Sequence, residues 1–236
     1  MCGRFTRAND YFSDKARQQK FLEQLGLTEA PALPQRYNIA PSQEILAVRA
    51  TDDDGRELVM LHWGLVPSWA KDRAIGNRMV NARAETIAEK PAFRAAFRRR
   101  RCLIPADGFY EWQVQGRTKQ PYLIRFKDQR LFCFAGLWEH WSKGAAPVES
   151  CTIITTDANE LMSSLHDRMP VILSPADYAL WLDPAVQEPE RLLPLLRPYA
   201  GDDLEAVPVS TLVNNPRNES PQCIEPIEVG GSGMLF

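Results

Sequence analysis

The chain has 236 residues, of which 44% are apolar and 25% charged, and a formal net charge of −2. This length supports one large domain with a proper core, and the near-neutral charge limits any nucleic-acid surface to a local patch. Five Cys residues without CxxC or metal-ligand spacing argue against a disulfide scaffold and a zinc site, so we expect neither metal nor cofactor. With no signal peptide and no apolar run near 18 residues, we expect a cytoplasmic protein that does not span a membrane.

The first hundred residues predict short helices and strands joined by loops. The predicted elements, in chain order, are a helix from Asn9 or Asp10 to about Leu25 stopped by Gly26, an irregular Pro-rich stretch at 27–36, an ordered loop at 36–41, strands at 44–50 and 57–62, and a helix from Pro91 to about Arg99.

From Cys102 onward the sequence is rich in strand formers. Three apolar stretches with turns at Gly116 and 127–129 predict one antiparallel meander, over 102–115, 121–126 and 130–138. The later predictions are a strand at 151–156, a helix capped by Asp157 to about Leu165, a helix capped by Ser174, a helix at 189–197 and a strand at 204–210. Strands outweigh helices without regular alternation, so we predict the α+β class, with one mainly antiparallel domain at 1–228 and a flexible tail at 229–236.

Cys2 is the first residue with distinctive chemistry. If Met1 is removed, Cys2 carries an α-amine with a pKa of about 7.8 beside a thiol with a pKa of about 8.5, and a nearby positive charge would increase the thiolate fraction. The amine of such an aminothiol condenses with an aldehyde to an imine, and the sulfur closes the imine to a stable thiazolidine. On this stretch alone, a buried apolar role for Cys2 stays open.

Three further residues could take part in chemistry. His166 lies in a loop between a predicted helix and strand, whereas His62 and His140 fit structural or surface roles. Glu111 lies among aromatic residues of a predicted strand, so it either faces solvent or is half-buried with a raised pKa, as an acid and base near pH 7 requires. Asn81 is either a polar ligand of the site or an ordinary turn residue.

A basic run with interleaved Phe residues covers 93–101. It fits either a surface that follows a phosphate backbone or a solvated helix face whose Phe residues point to the core.

Several motifs occur in one order and resemble the SOS response-associated peptidase (SRAP) family of abasic-site processing proteins. They are MCGRF (1–5), RYNIAPSQ (36–43), HWGLVPSWA (62–70), NARAET (81–86), RCLIPADGFYEW (101–112), KQPY (119–122), FAGLWE (134–139), TIITTDANELMSSLHDRMPVIL (152–173) and VNNPRNESPQCIEPI (213–227). The departure at Cys223, where an aliphatic residue looks usual, lies away from the positions that matter for the chemistry.

The resemblance implies a single α+β domain with a barrel-like β core and covalent capture of abasic sites in single-stranded DNA. Its active positions fall on Cys2, Asn81, Glu111 and His166. In this hypothesis Glu111 shuttles protons, His166 is an acid toward the sugar ring oxygen or a phosphate, and Asn81 orients the amine and the sugar. A lyase activity and an autoproteolytic peptidase activity are implied as accompaniments.

The resemblance also implies where DNA binds. The predicted contacts are Arg4, Arg83 and Arg168 to phosphates, Pro41 and Trp69 between flanking bases, and Asn38 and Trp112 beside them. We expect a monomer that is nucleoid-associated if the source is bacterial, with replication-fork proteins as candidate partners.

Two other functions remain open from the sequence. A cysteine peptidase would use Cys2 as the nucleophile and His166 as its base. A single-stranded DNA-binding module without chemistry would bind intact and abasic strands equally well.

Overall fold

The computed structural model describes residues 2–8, 15–29, 34–53 and 55–228. The predicted start of the first helix at Asn9 or Asp10 and the predicted tail at 229–236 lie outside these residues. None of the helices in the described ranges is long and apolar enough to cross a membrane.

Thirteen strands and five short α-helices make up the described fold. The strands are β1 (Phe5–Arg7), β2 (Arg36–Ile39), β3 (Glu44–Ala50), β4 (Arg56–Trp63), β5 (Asn81–Arg83), β6 (Arg101–Ala106), β7 (Gly108–Gln115), β8 (Thr118–Phe126), β9 (Phe132–Trp141), β10 (Val148–Asp157), β11 (Arg168–Pro170), β12 (Ile172–Leu173) and β13 (Leu204–Pro208). The helices are α1 (Lys15–Leu25), α2 (Arg94–Arg99), α3 (Glu160–Ser163), α4 (Tyr178–Leu182) and α5 (Pro189–Leu192), and 3-10 turns lie at 73–78, 84–86, 175–177, 193–195, 211–214 and 221–223.

Five strands close into a barrel. Strand β10 pairs with β4, β4 with β3, β3 with β6, β6 with β9, and β9 with β10 again. All of these pairings are antiparallel except β10 with β4, and closure removes the unpaired edges that an open sheet would expose. Strands β11, β12 and β5 extend this sheet, and β5 runs parallel to β10.

The other five strands form a separate antiparallel sheet in the order β13-β8-β7-β1-β2. Apolar side chains from this sheet and from the barrel form one buried cluster, which includes Phe5, Phe134 and Cys2. The rings of Phe5 and Phe134 meet edge to face with centroids 5.8 Å apart, a favoured aromatic arrangement. The fold thus confirms the predicted α+β class and the mainly antiparallel, barrel-like core.

The predicted meander is wrong in its pairing. The stretch 102–115 is two strands, because β6 belongs to the barrel and β7 to the second sheet. Between them Asp107 accepts hydrogen bonds from the Thr6 hydroxyl and from the backbone N–H of Ala8. A Cβ on Gly108 would lie 2.8 Å from the Leu123 side chain, so the close approach of the strands requires Gly. Asp107 and Gly108 therefore make a corner between the sheets.

Several predicted boundaries also change. Residues 36–39 form strand β2 rather than a loop, and α2 begins at Arg94, after Pro91. Helix α3 is capped by Asn159, whose side chain accepts from the Met162 N–H at 2.9 Å. Asp157, the predicted cap, instead ends β10 and binds an Arg side chain. The predicted stop at Gly26 is confirmed, because Gly26 has φ of 68°, which Gly adopts readily.

The basic run at 93–101 is not one continuous phosphate track. Phe93 and Phe97 are buried in the core beside α1 and α4. Arg101 is also buried, and its guanidinium donates to backbone carbonyls, including those of Trp181 and Val186. Desolvation lowers the pKa of Arg101 to about 10. The helix face that remains exposed carries only Arg94, Arg98 and Arg99.

Candidate functional site

Cys2 lies just before β1. Its side chain is buried in the cluster between the barrel and the second sheet. The Asn81 side chain, at the start of β5, donates through Nδ2 to the Cys2 carbonyl oxygen at 2.8 Å. Because a carbonyl only accepts, this bond fixes the amide orientation and leaves Asn81 Oδ1 as a buried acceptor without a hydrogen-bond partner among the described residues.

Glu111 and His166 line one cleft. Glu111 comes from β7 and is buried, whereas His166 is half-buried in the loop between α3 and β11. The cleft has a volume of about 570 Å³, and its lining residues are Glu111, Trp112, Val114, Lys119, Leu165, His166 and Asn214. The structure thus brings together the four predicted active residues from four separate segments.

Burial sets the protonation of the two acidic groups. Desolvation raises the pKa of the Glu111 carboxyl, and the nearby His166 opposes that rise. Burial and the neighbouring charge of Glu111 raise the pKa of the Cys2 thiol. Both effects oppose formation of the thiolate at Cys2.

The His166 ring is held by its own loop. Nδ1 lies 3.0 Å from the backbone N–H of Arg168, which donates to it, and 2.7 Å from Asp167 Oδ1. The neutral ring accepts from Arg168 at Nδ1, and the proton then sits on Nε2.

Arg168, a predicted phosphate contact, is engaged within the protein. Its guanidinium lies 2.8 and 2.9 Å from the two carboxylate oxygens of Glu85 and 2.8 Å from Asp157. It also donates to the Thr155 carbonyl at 2.8 Å, and its side chain is only 10% exposed. The ion pair between Arg168 and Glu85 links the segment that follows Asn81 to the end of the loop that carries His166. Sequence reasoning missed Glu85, although NARAET contains it.

Arg4 and Asn38, two further predicted contacts, bind the C-terminal segment. Arg4 Nη1 donates to Asn38 Oδ1 at 2.6 Å and to the Val213 carbonyl at 2.7 Å. Asn38 is fully buried, and its Nδ2 donates to the carbonyls of Val213, Asn215 and Asn218. The side chain of Asn38 thus does not reach the surface in this structure.

Trp69, Pro41 and Arg83 lie nearer the solvent. Trp69 is 52% exposed on a loop, and its backbone carbonyl accepts from Lys143 Nζ at 2.9 Å. Its indole N–H donates to the Pro91 carbonyl at 3.3 Å, so the exposed ring is held in place. Pro41 is half-buried in a turn, and Arg83 is exposed at the end of β5.

Trp112 forms a wall of the cleft next to Glu111. Its indole N–H donates to Asn214 Oδ1 at 2.7 Å, and the Arg4 guanidinium lies 5.8 Å from its ring centroid. Sequence reasoning assigned no role to Asn214, although the motif at 213–227 contains it. Among the described residues, no group of three His, Cys, Asp or Glu side chains is placed to hold a metal ion.

A family model for SOS response associated peptidase (SRAP) matches residues 1–216. The chain belongs to the SRAP family. This SRAP protein is 49% identical over 227 residues to the abasic site processing protein YoqW of Bacillus subtilis, a match that covers 95% of this chain and 99% of that protein. It is 38% identical over 205 residues to the abasic site processing protein HMCES of Gallus gallus, covering 76% of this chain and 60% of that protein.

A solved structure shares the fold of this SRAP protein. It is a protein from Bacteroides thetaiotaomicron, and it superposes with a TM-score of 0.78 at 27% sequence identity. The match covers 89% of this chain and 96% of that chain. The resemblance found in the sequence is thereby confirmed at the level of family and fold.

Proposed function

We propose that this SRAP protein captures abasic sites in single-stranded DNA through a covalent bond to Cys2 after removal of Met1. The observation that carries the proposal is the proximity of the four residues: Asn81 binds the Cys2 carbonyl, the charge of Glu111 acts on the Cys2 thiol, and Glu111 and His166 line one cleft. Family membership supports it, because relatives such as YoqW and HMCES are named abasic site processing proteins.

The reaction combines one aldehyde with one aminothiol and releases one water. The ring-opened abasic sugar exposes an aldehyde at C1′, and the Cys2 α-amine adds to it to give a carbinolamine. The carbinolamine hydroxyl takes one proton from Glu111 and leaves as water, which gives a protonated imine. The Cys2 sulfur then bonds to the imine carbon as the thiol proton returns to Glu111, and the nitrogen keeps its own proton in the closed thiazolidine.

Glu111 is suited to both proton transfers. Because burial raises its pKa, the protonated carboxyl is available to donate to the departing hydroxyl of the carbinolamine. The resulting carboxylate then accepts the proton of the buried Cys2 thiol as sulfur attacks. His166 Nε2 is the proposed donor to the sugar ring oxygen, and the unpartnered Asn81 Oδ1 is the proposed acceptor for the Cys2 amine.

The proposed DNA contacts divide by exposure. We assign direct contacts to the exposed Trp69 and Arg83 and to the half-buried Pro41 and Trp112, since ring stacking and charge suit a single strand of any sequence. Arg4, Asn38 and Arg168 are assigned indirect roles, because their polar groups already bind other parts of the protein. Proteins of the replication fork are proposed as partners, near the nucleoid if the source is bacterial.

The thiol environment favours capture over peptide hydrolysis. A cysteine peptidase needs a thiol whose pKa is lowered by a neighbouring imidazolium, whereas burial and Glu111 raise the pKa of Cys2. Aldehyde capture tolerates a protonated thiol, because the amine attacks first and the sulfur adds later.

The test is intact mass spectrometry of protein mixed with single-stranded DNA that contains one abasic site. The wild-type chain without Met1 is expected to gain the DNA mass minus one water and to keep it on heating. Cys2→Ser is expected to give only an imine that borohydride traps, because its amine survives without the sulfur.

Two comparisons make this test decisive. An uncleaved N-terminal tag is expected to abolish the adduct, and Cys223→Ser, a matched thiol change away from the cleft, is expected to react like wild type. No adduct with the wild-type protein rules out capture. Peptide turnover by the tagged protein would indicate a Cys2/His166 peptidase, and equal binding of intact and abasic DNA without an adduct would indicate a binding module.

A further inference from the structure

The cleft lined by Glu111 and His166 extends beyond the groups that the proposed chemistry uses. Its outer part, which we call the Val114 groove, is lined by Trp112, Val114, Lys119 and Asn214. The whole cleft of about 570 Å³ lies within the range of roughly 300–1,000 Å³ that small-molecule sites occupy. The capture reaction gives no role to Val114, Lys119 or Leu165.

The floor of the Val114 groove is apolar. Val114 is 67% exposed, the highest value among the large apolar side chains of the described residues that face solvent. Trp112, two residues earlier on β7, projects from the same face and is half-buried, and Asn214 holds its indole by the 2.7 Å hydrogen bond. A fixed aromatic ring with an aliphatic neighbour offers the flat apolar surface on which a nucleobase stacks.

The rim of the groove carries a positive charge. Lys119 lies directly across the β7–β8 hairpin from Val114, so the two side chains project from the same face of the sheet. Lys119 is exposed, and no carboxylate lies within ion-pair distance of its ammonium in the described part of the chain. The carboxylate of the same cleft, Glu111, is buried at its inner end. An ammonium at the rim beside an apolar floor matches a phosphate beside a base.

We propose that the Val114 groove binds the nucleotide next to the abasic sugar, with its base on Val114 and Trp112 and its phosphate at Lys119. This inference rests on the proposed capture function. It makes the protein a reader of the neighbouring base as well as of the lesion, because the groove and the Glu111–His166 pair share one continuous cleft.

The experiment measures single-turnover adduct formation on oligonucleotides in which a tetrahydrofuran unit replaces the nucleoside on either side of the abasic site. This unit keeps the phosphate and lacks both the base and a reactive aldehyde. For the wild-type protein, removal of the base on one of the two sides, but not on the other, is expected to lower adduct-forming efficiency about five-fold or more, because a stacked base contributes roughly 1–3 kcal/mol.

Variants locate the effect in the groove. On the strand with all its bases, Val114→Ser is expected to form the adduct less efficiently than wild type, by about the factor that wild type loses when the base is removed. Removing the neighbouring base is then expected to cause no further loss in this variant. Met60→Ser, a matched change at a side chain 50% exposed on β4, is expected to behave like wild type on both strands. Lys119→Gln is expected to reduce the slope of log binding constant against log salt concentration by about 0.7, the value for one lost phosphate contact on a single strand. Lys127→Gln, at the other end of β8, is expected to leave this slope unchanged.

The outcomes separate the two proposals. If the wild-type protein forms the adduct equally well with and without both neighbouring bases, the groove proposal is overturned and capture stands. If Val114→Ser loses the same additional factor as wild type when the base is removed, the base binds elsewhere and the groove proposal is also overturned. If the wild-type protein forms no adduct on any strand, the capture function fails, and the groove proposal with it.

Discussion

The Glu111 side chain is buried in a place that disfavours its ionised form. The first four residues of β7 are all buried, so strand alternation gives no face of this segment to solvent. This is why the sequence left two alternatives for Glu111, and the structure selects the buried one with a raised pKa. Burial of this carboxyl therefore costs folding stability and favours the protonated form that proton donation needs.

Replacing Glu111 with Gln is expected to stabilise the fold at pH 7 and to abolish fast adduct formation. The folded pKa lies above the unfolded value of about 4.3, so the native state binds more protons and its stability falls as pH rises through this interval. The advantage of Glu111→Gln should thus be absent at pH 3.5 and present at pH 7 in urea unfolding.

The control for this prediction is Glu160→Gln, an exposed carboxylate in α3. Its effect on the free energy of unfolding should stay within about 0.5 kcal/mol at both pH values. A Glu111→Gln protein that is less stable than wild type at pH 7 would contradict the account of its burial.

At the scale of elements, local patterns identified most strands but not their partners. Strand β3 has the predicted bounds and β4 differs from its prediction by one residue at each end, because a hairpin is specified by its own turn. The stretch 102–115 was predicted as one strand because its apolar residues run on through Asp107 and Gly108. What divides it is the contact of this corner with Thr6 and Ala8, about a hundred residues earlier in the chain.

Gly108→Ala is expected to destabilise the protein by about 1–3 kcal/mol, because the added methyl group must displace Leu123 and Thr6. This corresponds to a fall in Tm of roughly 2–12 °C for a domain of this size. Gly116→Ala offers a comparison, since its Cβ meets nothing within 4 Å and only its positive φ of 61° is strained. A Tm for Gly108→Ala above that of Gly116→Ala would contradict the role of the corner.

For the whole molecule, the motifs carried more information about the candidate site than the composition did. The resemblance pointed to Cys2, Asn81, Glu111 and His166, which four distant segments bring near one another. The roles of Arg4, Asn38 and Arg168 could not be predicted, because each depends on a partner from another segment. The motifs contain these residues, but the partners that neutralise or bury their side chains come from other parts of the chain.

Asn38→Ala is expected to loosen the hold of strand β2 on the C-terminal segment. The change removes three donated hydrogen bonds and the acceptor of Arg4, so a cost of about 3 kcal/mol in unfolding free energy is expected. Amide hydrogens over 211–223 should exchange faster by mass spectrometry. Asn77→Ala, which removes an exposed side chain, is the matched control, and equal exchange in the two variants would refute the coupling.

The position of strand β10 in the sequence sets when the candidate site can assemble during synthesis. It closes the barrel and also carries β5, and therefore Asn81, on its flank. At about 5–20 residues per second, His166 leaves the ribosome roughly 10–30 s after Cys2. A nascent chain therefore carries Cys2 before His166 and its loop exist, and the arrangement proposed for abasic-site capture forms only once translation has passed β10 and the loop that follows it.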